Sequence, residues 1–189
     1  MINTIKVRIT GTRPLLMHSD KFADPLNPLT KAHKVLTGKR KKTDDDHEAI
    51  AKSEWLGGLY IDDKGPYLPG VNIEAAMIGG GKLSKLGTQL KRSVEILDEK
   101  CSLKYDGPKS PEKLWDSGFY DVRSVKIGKA RIMRYRPLFT KWAADCDIAF
   151  DPESIDMAQV LQCLEDGGQY CGIGDYRPKF GRFSVEVIK

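Results

Sequence analysis

The chain has 189 residues, of which 40% are hydrophobic and 30% charged, enough for one domain with a good-sized core or one domain carrying a large insertion. No apolar run approaches the ~20 residues that cross a bilayer, and no signal-peptide core opens the sequence, so we expect a cytoplasmic protein without a membrane partner. The net charge of +5 permits a polyanionic partner, while Cys101, Cys146, Cys163 and Cys171, with His18, His33 and His47, complete no zinc spacing; reduced structural thiols, no metal and no cofactor are expected.

Residues 4–10 alternate apolar and polar and predict a half-buried strand with Ile5, Val7 and Ile9 inward. Gly11 and Pro14 end it, and Leu15-Leu16-Met17 leads into His18-Ser19-Asp20. From about residue 22 to 43 periodicity disappears. Pro25 and Pro28 interrupt the chain and Lys31, Lys34, Lys39, Arg40, Lys41 and Lys42 accumulate, which predicts a long mobile basic loop. Asp44-Asp45-Asp46 supplies an N-cap and a dipole-favoured first turn for a helix to about Trp55, stopped by Gly57-Gly58. Residues 59–68 read as a small hairpin about Asp62-Asp63-Lys64-Gly65.

Pro69-Gly70 precedes a helical segment over 71–97, with Ile73, Met77, Leu83, Leu86, Leu90, Val94 and Leu97 at spacings of three and four. Gly79-Gly80-Gly81 interrupts or bends it, with Lys82 and Lys85 beside the interruption. Strands follow at about 119–136 and at 141–150, the first crowded with Arg123, Lys126, Arg131, Arg134 and Arg136. Asp151-Pro152-Glu153 opens a helix over 154–166, which Gly167-Gly168 closes, and residues 182–188 form a last strand. The order is βαββαβ, so the expected fold is α+β, ferredoxin-like (RRM-like): one domain over 1–189, with long insertions after strand one (about 20–66) and after helix one (about 98–118). In the RRM the open face of such a sheet binds single strands.

The stretch 167–183 holds five glycines in its first fifteen residues, interleaved with Tyr170, Tyr176, Arg177, Lys179, Phe180, Arg182 and Phe183. Glycines admit positive φ and close approach, rings offer stacking surfaces, and cations attract phosphate. The same stretch also reads as a long turn feeding the last strand.

Three segments carry a family resemblance. Residues 9–17 resemble the first strand and "-PL-" segment of the RAMP proteins of CRISPR systems. Tyr67-Leu68-Pro69-Gly70-Val71-Asn72-Ile73-Glu74-Ala75-Ala76 resembles that family's "PG" helix start, with Ala75 where the pattern has glycine. The 167–183 stretch resembles its glycine-rich signature. The resemblance implies a ferredoxin-like protein that binds or processes guide RNA, in a bacterial cell or a phage-infected host. It points first to the backbone subunit of effector complexes: a non-enzymatic binder of single-stranded RNA, or of single-stranded DNA, that self-associates as a filament along its ligand and contacts other effector subunits. The guide-processing endoribonuclease has five residues between its glycine pairs; here six separate Gly174 from Gly181.

Candidate nucleic-acid contacts are Arg13, Lys39, Arg40, Lys41, Lys82, Lys85, Arg123, Lys126, Arg131, Arg134, Arg136, Tyr170, Tyr176, Arg177, Lys179 and Arg182, with Tyr135 available to stack. The basic strand pair reads equally as a solvated charged face. His18 is the candidate general acid or base for a metal-independent endoribonuclease, and Asp20 and Asp24 resemble in position an acidic loop residue of cleaving backbone subunits. A third reading is a protein-interaction module that mimics an effector subunit. No nucleotide-binding P-loop is present, since Gly79-Gly80-Gly81-Lys82 lacks its spacing.

Overall fold

The computed structural model describes residues 1–188, apart from the side chain of Ile127. Its elements begin with β1 (Asn3–Gly11), β2 (Leu15–Leu16), a 3-10 turn (Asp20–Ala23), α1 (Pro28–Thr37) and α2 (Asp44–Gly58). There follow β3 (Ile61–Asp62), β4 (Gly65–Pro69), α3 (Gly70–Gly81), α4 (Gly87–Ser93), β5 (Val94–Ile96), β6 (Lys100–Lys104) and α5 (Pro111–Asp116). The chain then runs through β7 (Tyr120–Ile127), β8 (Ala130–Phe139), β9 (Ala143–Phe150), α6 (Met157–Asp166), a π-helical turn (Gly167–Cys171) and β10 (Phe183–Val187). These gather into two compact units. One comprises 1–15, 61–106 and the chain from Thr140 onward; the other comprises 16–60 and 107–139.

The first unit is ferredoxin-like. Its sheet runs β10-β1-β9-β6-β4-β3, with β5 also paired to β9, and its pairings are antiparallel. Reduced to the major elements, the order along the chain is β1, α3, β5/β6, β9, α6, β10, and the spatial order is 4-1-3-2. Alternation decides which face is buried. Val7, Ile9, Ala144, Cys146, Ile148, Leu68, Cys101, Leu103 and Phe183 point one way and meet Ile73, Ala76 and Met77 of α3 and Val160 and Leu164 of α6.

Three helix details add to or differ from the sequence expectation. Gly79-Gly80-Gly81 does end a helix, but these residues also let it touch its neighbour: a Cβ on Gly80 would lie 2.3 Å from Gly167 N, and one on Gly167 2.4 Å from Ala76 O. Gly167-Gly168 does not close α6, which continues into the π-helical turn; these glycines serve close approach too. The cap of α6 is Asp156, in a reciprocal capping box with Gln159, five residues beyond Asp151.

Strand two of this sheet is β5/β6, not residues 119–136. Val94 and Ile96 are buried about an exposed Glu95, and Cys101 and Leu103 are buried between exposed Lys100, Ser102 and Lys104. The second insertion therefore follows strand two rather than helix one, and residues 119–136 belong to the other unit.

In the second unit, β7 and β8 form a long antiparallel ribbon, Tyr120 opposite Pro137 and Lys126 opposite Arg131. Trp55 of α2 is 1% exposed and its indole N–H donates to Phe119 O at 2.8 Å. Its ring stands edge-on to Trp115, which also packs on Tyr120. The basic segment expected to be a loop contains α1. Pro28 sits in the first turn, where its missing N–H costs nothing, and the Asn27 side chain accepts from Leu29 N. Thr43, the residue before the three aspartates, caps α2 in a capping box with Asp46.

Candidate nucleic-acid interface

The glycine-rich stretch is an immobilised backbone rather than a loose turn. Gly172, Gly174 and Gly181 have φ of 68, 79 and 70°. The Gly172 N–H donates to Gly167 O (2.8 Å), Ile173 N–H to Gly181 O (2.9 Å), and Gly181 N–H to Pro14 O (2.7 Å). Thr12 and Arg13 N–H both donate to Arg182 O, which ties the loop to the end of β1. Ile173 is fully buried as its apolar anchor. A Cβ on Gly181 would fall 1.7 Å from Ile173 O, so no other residue fits there without moving the backbone.

This held backbone turns its chemistry outward. Tyr170 and Tyr176 are 53% and 44% exposed, and Arg177 and Lys179 are exposed beside them. Tyr170, Asp175, Tyr176 and Arg177 line a depression of about 530 Å³. Arg13, Gln169 and Arg182 line a second groove of about 400 Å³, together with Glu165, whose carboxylate accepts from Val185 N–H. Arg182 is held by its Nε–H donating to Pro178 O (2.8 Å). Cations on a fixed frame suit phosphate, and half-exposed rings suit base stacking. Lys82 and Lys85 are exposed in the turn after α3, whose Gly79 packs against Cys171 of the π-helical turn.

The structure brings together the six loop-and-groove residues of the first unit, and places the remaining candidates elsewhere. The open face of the sheet carries Lys6, Arg8, Thr10, Lys100, Lys104, Asp145, Asp147, Ser184 and Glu186, and its one aromatic among the described residues is Tyr67, beneath the Lys100 ammonium at 5.0 Å. Arg8 makes a two-pronged ion pair with Asp145 (2.7 and 3.0 Å) that Lys104 joins, and this holds the Asp145 carboxyl down at about 2. Such a face is laced with charge pairs and lacks the stacking platform of an RRM.

In the second unit the basic strand pair is split between two faces. Lys126 and Arg131 are exposed on one, while Arg123, Arg134 and Arg136 are half-buried on the other. Arg123 pairs with Asp121 and Arg134 with Glu54. Tyr135 is packed against Trp115 and Tyr120 rather than offered for stacking. Lys39 pairs with Asp46 at 2.5 Å, and Arg40 and Lys41 are exposed. His18 and Asp20 are exposed as well, and His18 lines a cavity with His33. Sequence reasoning passed over His33 and Glu54, since segments far apart in the chain form that cavity and no local pattern marks it.

The three buried thiols are Cys101, Cys146 and Cys163; Cys171 is half-buried. A hydrogen bond with Cys101, together with burial, pushes the Cys146 thiol far up, which keeps it protonated. Among the described residues no group of three or more His, Cys, Asp or Glu is placed to hold a metal ion, and no helix is long and apolar enough to cross a membrane.

Fold and loop together define a ferredoxin-like α+β protein with a rigid glycine-rich loop between its last helix and last strand. No family model matches the sequence, and no curated protein matches it. Among solved structures the chain is similar to Cmr6 from Pyrococcus furiosus, with a TM-score of 0.40 and 10% identity over 98% of this chain and 99% of that one. It is also similar to a Cas6 product complex, with a TM-score of 0.28 and 15% identity over 96% of this chain and 50% of that one.

Proposed function

We propose that this protein binds single-stranded nucleic acid, RNA by preference, without cleaving it, and that copies associate head to tail along the strand. The observation that carries the reading is the glycine loop: a backbone fixed by three positive-φ glycines presents Tyr170, Tyr176, Arg177 and Lys179 outward, beside Arg13 and Arg182. Preorganised cations and rings lose little freedom on binding, so their contacts appear as affinity. The sequence resemblance to RAMP proteins supports the same function, and asymmetric contacts that do not close give filaments.

The test is binding of a labelled single-stranded RNA by fluorescence anisotropy. Arg177→Ala, Lys179→Ala and Arg182→Ala combined should weaken binding by about a hundredfold at low salt, on the order of 1 kcal/mol for each lost phosphate contact. The thermal midpoint should change little, since these side chains are exposed or half-exposed. Unchanged affinity in the triple variant returns the stretch to a structural turn. Cleavage of the RNA by the wild type, abolished by His18→Ala, replaces the binder with an endoribonuclease.

A further inference from the structure

The second unit holds an open-mouthed pocket of about 520 Å³ between α1, α2 and the β7–β8 ribbon, within the size range of small-molecule sites. Its wall is polar in a specific way. Lys34, Arg134 and Arg136 contribute three cations, while Glu54 is the single carboxylate among the described lining residues. That carboxylate is already engaged: one oxygen accepts from Arg134 Nη1 (2.5 Å) and the other from Tyr135 N–H (3.2 Å). The pair fixes the guanidinium in the wall, and one N–H of its five is used in doing so.

The imidazole of His33 is fixed as firmly. Its ring stacks on Phe22 (centroids 4.8 Å apart, planes 26° from parallel) and its Nδ1 meets the Ser53 hydroxyl at 3.1 Å, leaving Nε2 as its second polar atom. Burial pushes its pKa below the usual histidine range, with Arg134 lowering it further against Glu54, so near neutral pH it serves as a neutral hydrogen-bonding group. A pocket with excess cations, a preset guanidinium and a neutral imidazole is complementary to an anion that accepts several hydrogen bonds.

We infer that this cavity is a binding site for a small phosphate ester, a nucleoside monophosphate by size and charge, separate from the glycine loop. The phosphate lies among Lys34, Arg134 and Arg136, and the organic part lies toward Phe22 and Val125. The experiment is calorimetric titration of the full chain with inorganic phosphate, with a nucleoside 5′-monophosphate and with a single-stranded oligonucleotide. The monophosphate should bind and compete with inorganic phosphate. Lys34→Glu should weaken it about tenfold or more, the effect of losing one charge-assisted contact and adding a like charge. Lys31→Glu, an equal charge change on α1 outside the cavity wall, should leave it within about twofold, and so should the Arg177/Lys179/Arg182 triple variant.

No monophosphate binding up to about 10 mM, or equal losses in Lys34→Glu and Lys31→Glu, overturns the inference. So does a Lys34→Glu variant that loses affinity only for the oligonucleotide, because the cavity then holds a phosphate of the bound strand. Failure of RNA binding to the glycine loop leaves this result untouched, since the two readouts use different variants.

Discussion

At the scale of single residues, glycine and aspartate positions make the sharpest predictions. Gly181 and Gly128 both have positive φ, but Gly128 faces open space while Gly181 abuts Ile173 O. Gly128→Ala should cost about 1 kcal/mol, the backbone term alone. Gly181→Ala adds a clash with backbone and should cost about 3 kcal/mol, or roughly 6–12 °C in thermal midpoint for a chain of this size. Equal costs would show that the loop yields. Asp145 gives a pH signature. Its folded pKa of about 2, set by Arg8 and then Lys104, lies below the ordinary carboxyl value. The stabilisation is therefore complete above about pH 5 and fades as pH falls through about 2. Asp46, held at about 2 chiefly by Lys39, fades in the same window. Denaturant unfolding should find Asp145→Asn less stable than wild type at about pH 7, with the gap narrowing below about pH 4 and closing only as pH falls through about 2.

At the scale of elements, the sheet and the loop divide the labour of the first unit. Lys6 and Thr10 lie on the open sheet face, so Lys6→Ala and Thr10→Ala should leave RNA affinity within about twofold in the anisotropy assay, whereas a platform of the RRM kind would lose more. Sequence alone made much of this legible. The alternation of β1 and the strand after the glycine loop are local signals, and so is the crowding of rings and cations in the loop itself, whereas the caps of α2 and α6 fall on Thr43 and Asp156 rather than on the acidic clusters that draw the eye. Strand two was hidden because Leu90, Val94 and Leu97 satisfy a helical spacing while Val94 and Ile96 also satisfy alternation. Position in the sheet decides between them; the plain alternation of Lys100 to Lys104 was the readable clue. α1 was hidden because Pro28 reads as a breaker in mid-segment and as a starter at a first turn. The division of the basic ribbon into two faces follows from strand alternation, with Arg134 and Arg136 on one side and Arg131 on the other; that the first face is covered depends on α2 and its Glu54, which no spacing along β7 or β8 reveals.

At the scale of the whole molecule, the charge of +5 is modest, and phosphate binding rests on where the cations sit. Plotted against the logarithm of salt concentration, log K for single-stranded RNA should fall by roughly 0.7 for each phosphate neutralised. The triple loop variant should flatten that slope by up to about 2, and a slope left unchanged would move the ligand off the loop. The pairing of β1 has a further consequence for how the protein is made. Both its partners, β9 and β10, lie at the far end of the described chain. While the ribosome is still delivering the residues between, β1 waits as an open template. Its native neighbours are made only after the whole stretch between them, and in that interval its edges are open to any other nascent strand.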